Sequence, residues 1–231
     1  MQKKLKIIRV TTKPEAFLLL LRGQLKFINN FHNLIGVSSP GEELLEVQNQ
    51  EGIKVIPLNM TRKISPIKDF LSLIKMIFIL IKEKPDLVHS HTPKAGVVAM
   101  LASRICGIPH RIHTVAGLPL METSGIKKKF LLFVEWFTYK CATKICPNSY
   151  GLKKFIEDNI YFSKNKLTVI GNGSSNGVDL KYFDRNYEVN NSSFIFKKKY
   201  NLENLFSFIF IGRIVKDRGI DYRWKPATKL Q

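Results

Sequence analysis

The chain has 231 residues, 45% of them hydrophobic and 24% charged, which is enough for one α/β domain or one domain and a fragment. Its formal charge is +19, carried by 28 Lys and 9 Arg. The excess suits polyanions, anionic lipid or diphosphate ligands, or lysines scattered on solvated faces. No stripe of arginines interleaved with aromatics occurs, so a nucleic-acid partner is not expected. Three cysteines without a C-x-x-C pair read as buried reduced thiols in a cytosolic protein.

In chain order, Lys4–Thr12 is an apolar first strand rather than a leader. A helical pattern follows from Glu15 to Asn29, interrupted by Gly23, which marks a loop or a close approach to a ligand. G-x-G-x-x-G is missing there, so a nicotinamide cofactor is not expected. A strand and turn (HNLIGVSSPG), a helix from Glu42 to Glu51 and the strand GIKVIPL come next. Ser65 and Asp69 open a long helix that Pro85 closes. Its apolar run Phe70–Ile81 is too short and too interrupted by lysine to span a bilayer, and is expected as a core helix.

The stretch Asp86–Leu120 reads strand, loop, helix, strand, loop, and His89, His91 and His113 lie at or near its strand ends. Polar groups at the carboxyl ends of parallel strands are where open α/β sheets bind ligands. His89 and His91 alternate, so they share one side of a strand. With His113 as the only nearby third ligand and no D-x-D anywhere, a metal is not expected. For His113 itself, a ligand-bonding group and a satisfied core histidine are equally compatible with the pattern.

GIKKKFLLFVEWFTYKC puts three lysines before an aromatic-rich helix. It fits a membrane-surface element over Lys127–Tyr139, or a core helix with a snorkelling basic end. ATKICPNS is a strand with the polar tip Asn148–Ser149, LKKFIEDN is a helix, and KLTVIGNGSSNGVDLKYF is a strand and a Gly/Asn/Ser loop without a Walker Lys-Ser/Thr. Arg185–Asn204 is polar and irregular, and reads as a linker or a helix entering a new unit. LFSFIFIGRI is then an apolar strand ending at Gly212–Arg213, with Arg218–Gly219 beyond it; guanidinium groups match phosphate oxygens bidentately. The remaining residues show no apolar periodicity, and an unfinished second domain is expected there, with an aggregation-prone strand from Leu205.

The stretches KPDLVHSHTPKAG, RIHTVAGLPL, CPNS, VIGNGSSNGVD and FIGRIVKDRGI resemble retaining glycosyltransferases of family 4, of GT-B fold, over about residues 4–221. They are most similar to bacterial enzymes that extend undecaprenyl-diphosphate-linked sugars. The resemblance implies a Rossmann-like parallel sheet with helices on both faces in an acceptor-side domain, residues 1–186. A linker at 187–204 and the truncated start of a nucleotide-sugar domain at 205–231 would follow. It implies a hexose or N-acetylhexosamine moved from a nucleotide-sugar, UDP-linked, to a lipid-linked saccharide, with no cofactor or metal.

Position by position, it makes His113 the catalytic histidine and assigns the donor diphosphate to Gly23, Gly212, Arg213 and Arg218. It matches Asn176, Gly177, Val178 and Asp179 to a hinge segment, and puts His91, Thr92, Lys94, Asn148 and Ser149 on the acceptor side. Where the family usually has lysine, this chain has Arg218. The family's E-x7-E element has no counterpart, so the chain alone is expected to have little activity, or to be a binding remnant of the acceptor domain. The implied place of work is the cytoplasmic face of the plasma membrane, reached through Lys127–Tyr139.

Overall fold

The computed structural model describes residues 3–61, 65–160, 164–174, 177, 180–181, 183–184 and 187–206. It divides into two compact units, Met1–Gly177 and Val178–Gln231.

The first unit alternates strand and helix. β1 (Lys6–Val10) leads into α1 (Glu15–Leu20) and α2 (Gln24–Phe31), then β2 (Asn33–Ser38), α3 (Glu42–Glu51) and β3 (Lys54–Pro57). After α4 (Pro66–Glu83) come β4 (Leu87–Ser90), α5 (Pro93–Ile105), β5 (His110–Val115), α6 (Gly125–Cys141), β6 (Lys144–Pro147) and α7 (Tyr150–Asn159). All six strands are parallel in the order β3-β2-β1-β4-β5-β6. The expected Rossmann-like sheet with helices on both faces is present. Its order reverses between β1 and β4, the crevice where such sheets bind ligands.

Two apolar clusters flank the sheet. Ile8, Val10, Val88 and Ile145 pack with Met76, Leu80, Ala99, Met100 and Tyr139 of α4, α5 and α6. On the other face Ile7 and Leu34 pack with Phe17, Leu21, Leu25 and Val47 of α1 to α3. The period-2 pleat of each strand therefore decides which helical layer a side chain meets.

The expectation of a core helix over Phe70–Ile81 holds for one stripe only. Ser72, Met76 and Leu80 are buried, whereas Ile67, Phe70, Leu71, Ile74, Phe78 and Ile81 are exposed. Apolar residues cover most of the circumference of α4, and the neighbouring helix α5 covers one side. No helix among the described residues is long and apolar enough to cross a membrane.

In the second unit, α8 (Tyr187–Lys199) occupies most of the stretch expected as a linker or a helix entering a new unit. Asn and Ser favour turns in isolation, but Glu188 in the first turn and Lys197, Lys198 and Lys199 in the last complement the helix dipole. The strand expected over 205–211 lies, from residue 207 on, outside the described residues.

Candidate functional site

The carboxyl ends of β1, β4, β5 and β6 form the site. Register sets its chemistry. Arg9 lies beside His89 across β1 and β4, and Thr114 beside Cys146 across β5 and β6. One pleat further, Val10, Ser90, His113 and Ile145 are neighbours in the same order on the opposite face.

On the α1–α2 side the sheet opens a pocket of about 150 Å³. Arg9, Gln24, His89, His91, Thr114 and Asn148 supply its polar wall, with Gly173 and Ser174 from the following loop. His89 Nε2 and Thr114 Oγ1 share a hydrogen bond of 2.8 Å, and the rings of His89 and His91 lie 4.0 Å apart. Burial, with the Arg9 charge nearby, pushes both imidazoles well below their ordinary pKa, so both are neutral at physiological pH. Gly173 closes the wall tightly: with φ +90°, it brings the chain so near that a Cβ there would stand 2.3 Å from the Asn148 carbonyl oxygen.

His113 does not belong to this pocket. It is 2% exposed and points into the α5–α6 layer, where its Nδ1 bonds Ser90 Oγ at 2.8 Å. Its ring lies against Gly96 of α5 and 6.2 Å from the Tyr139 ring. Burial holds its pKa down to about 4. The alternation within RIHTV thus turns His113 away from His89 and His91, onto the α5–α6 face of the sheet. The same geometry keeps the three histidines from converging on one metal.

Gly23 is placed as expected between two helices, in the left-handed region at φ 75°. Its N–H, however, donates to Glu51 Oε1 at 2.7 Å, and Lys26 N–H donates to Glu51 Oε2 at 2.8 Å. The buried Glu51 carboxylate thus fills the anion site at the start of α2. A diphosphate at the Gly23 amide would have to displace it.

The acceptor-side residues separate. His91 and Asn148 line the pocket. Thr92 instead ties the switch point: its Oγ1 accepts from Thr12 N–H at 3.0 Å and lies 2.6 Å from Thr12 Oγ1. Lys94 is drawn away into an ion pair with Asp69 of α4. Ser149 caps α7, its Oγ accepting from Leu152 N–H at 3.0 Å. Ser149 and Lys94 therefore have structural partners rather than free polar groups. Thr92→Val leaves the buried Thr12 N–H without its acceptor, and is expected to cost about 1–3 kcal/mol, read as a lower denaturant midpoint at unchanged m.

Gly177 is exposed. Gly212, Arg213 and Arg218, with Asn176, Val178 and Asp179, lie outside the described residues. The residues missed from the sequence are Arg9, Gln24 and Thr114. Arg9 had a signal, being the one charge within the otherwise apolar run IIRV.

Lys127–Tyr139 divides along its length. Lys127, Lys129, Phe130 and Phe133 are exposed, while Leu131, Leu132, Trp136 and Phe137 pack on the core and Thr138 and Tyr139 are buried. The basic turn and the core helix are successive parts of one element.

A family model described as "Glycosyl transferase 4-like domain" matches residues 33–173. The chain is 39% identical over 219 residues to the capsular polysaccharide biosynthesis glycosyltransferase CapM of Staphylococcus aureus, covering 94% of this chain and 56% of that protein. It is 35% identical over 160 residues to the Escherichia coli UDP-Gal:alpha-D-GlcNAc-diphosphoundecaprenol alpha-1,3-galactosyltransferase, covering 67% of this chain and 39% of that one. The chain thus spans about half the length of the curated relatives it matches. Among solved structures, Anabaena HepE in complex with UDP-glucose superposes with a TM-score of 0.63 at 17% identity, covering 87% of this chain and 50% of that one. A Rickettsia africae glycosyltransferase gives 0.60 at 20%, covering 88% and 51%. These two share the fold. The matched segment runs from β2 to the loop that closes the pocket, and the chain belongs to the glycosyl transferase 4-like domain family.

Proposed function

We propose that this chain forms the acceptor-holding side of a hexosyltransferase of bacterial surface-glycan synthesis. The donor is a nucleotide-sugar, with UDP as its nucleotide, and the acceptor is an undecaprenyl-diphosphate-linked saccharide. The family match over 33–173 carries this reading, because that segment supplies β4, β5 and β6 and the closing loop on one side of the switch-point crevice. The named activity of the Escherichia coli relative supplies the two substrate classes. In this reading the pocket wall that includes His91 and Asn148 lies on the acceptor side. The donor diphosphate meets Arg213 and Arg218.

The test is transfer of labelled sugar from a panel of UDP-sugars to a lipid-diphosphate-linked N-acetylhexosamine, with binding of that acceptor to the 231-residue chain measured beside it. Acceptor binding is expected with little turnover. Robust turnover by the chain alone overturns the view that it is the acceptor side only. Absence of both binding and turnover overturns the whole reading.

The lipid acceptor requires a membrane surface, and the exposed lysines and phenylalanines at the start of α6 fit the inner leaflet. The chain is expected to float with vesicles rich in phosphatidylglycerol and not with neutral ones. Charge reversal of Lys127 and Lys129 together removes two attractions of about 1 kcal/mol each and adds two repulsions, so it should weaken flotation by more than about tenfold. Equal flotation with neutral vesicles would count against an electrostatic dock.

A further inference from the structure

Arg9 is a buried cation with no acidic partner. It stands fourth in β1 and is 7% exposed. Its Nη1 donates to Gln24 Oε1 at 3.2 Å, and none of the ion pairs among the described residues includes it. Burial lowers its pKa to about 10. Removing a guanidinium from water costs several kcal/mol unless an anion meets it.

Among the described residues, no acid lines the pocket. The pocket groups around it are imidazoles, amides, hydroxyls and a buried thiol. Of the acids on α1 and α3, none lines the pocket, and Glu51 is committed to the backbone at the start of α2. His91 adds a second sign of an absent ligand. Its Nε2 is buried without a hydrogen-bond partner, on the wall of the same pocket.

We propose that this pocket binds a phosphoryl group of a diphosphate, held by the Arg9 guanidinium with His91 Nε2–H as a further donor. The fork of a guanidinium matches phosphoryl oxygens two at a time. At about 150 Å³ the pocket is smaller than the roughly 300 Å³ from which sites enclosing a whole ligand begin. It takes a group, and the rest of the ester stays outside. The site deepens the function proposed above and rests on it for the choice of a diphosphate. Two substrates carry one: the nucleotide-sugar and the lipid-linked acceptor.

Calorimetric titration of the 231-residue chain with sodium pyrophosphate, UDP and farnesyl diphosphate tests the site. Pyrophosphate should bind, and Arg9→Met should weaken it at least tenfold. Tighter binding of UDP than of farnesyl diphosphate assigns the site to the donor, and the reverse order to the acceptor; the Arg9 dependence of either supports the site. No pyrophosphate binding by the parent chain, or equal binding by Arg9→Met, overturns it. If Arg9→Met does not fold by circular dichroism, a parent crystal soaked in pyrophosphate decides: the anion must lie against Arg9, and an anion elsewhere or none overturns the site. Pyrophosphate binding is read without turnover. A chain that binds it through Arg9 but neither binds nor glycosylates the lipid-linked acceptor loses the function and keeps the site.

Discussion

Glu135→Gln is expected to stabilise the protein at neutral pH by about 3 kcal/mol relative to its effect at pH 4. Glu135 lies on the inner side of α6, 7% exposed, one turn before Tyr139. Burial raises its carboxyl from the ordinary 4.5 to about 7, and the hydrogen bond with Tyr139 only partly opposes this. The unfolded chain releases the proton near 4.5 while the native protein keeps it to about 7. In that interval the native state binds more protons, so its stability falls as pH rises. Below the interval both states are protonated and the group costs nothing. Glutamine keeps the shape and a partner for the Tyr139 hydroxyl, and it cannot ionise. Denaturation midpoints of parent and variant should nearly coincide at pH 4 and separate as pH climbs through 7. A constant difference would show that Glu135 ionises freely in the native protein.

The neutral buried histidines act in the other direction. His113, held down to about 4, must be charged on acid unfolding, and burial lowers His89 and His91 well below their ordinary value too. Their contribution to stability is present above 6.5 and is lost as pH falls through that value and on to the native pKa of each. The parent protein therefore has opposing slopes between 4.5 and 6.5, and Glu135→Gln exposes the histidine slope by itself.

Much of the fold was legible because the α–β alternation is carried by local signals. Gly23 breaks a helical pattern, and Gly52 and Pro85 end two others. The site was legible only as an edge. That His89 and His91 share a side follows from alternation within one strand. That His113 faces away from them depends on Ser90 standing beside His113 across two strands, and register of that kind has no local signature. Lys94 reads as a binding group in the sequence because its partner Asp69 is far away along the chain, on another helix. Arg9 was overlooked for the opposite reason. In a chain of such basic composition, one more cation reads as surface until its burial is known.

Gly96→Ala should show what holds His113 in place. Alanine in the interior of an exposed helix gains about 1 kcal/mol over glycine. Here the added Cβ would lie 2.5 Å from His113 Cε1 and 3.0 Å from both ring nitrogens. The ring cannot swing away freely, since Nδ1 is bonded to Ser90 and the residue is 2% exposed. Overpacking of this kind costs about 1–3 kcal/mol, which offsets or exceeds the helix gain of about 1, so a net loss of up to about 2 kcal/mol is expected. His113→Ala should itself be destabilising by about 3 kcal/mol, through the cavity and the lost Ser90 bond. In that background the obstruction is gone, and Gly96→Ala should become stabilising. The change of sign across the double-mutant cycle is the signature of direct contact. Additive effects would mean that the helix–strand spacing at Gly96 is set by groups other than the imidazole. Because neither residue faces the Arg9 pocket, Gly96→Ala should leave pyrophosphate affinity unchanged while it lowers stability, which separates the sheet's core face from its binding face.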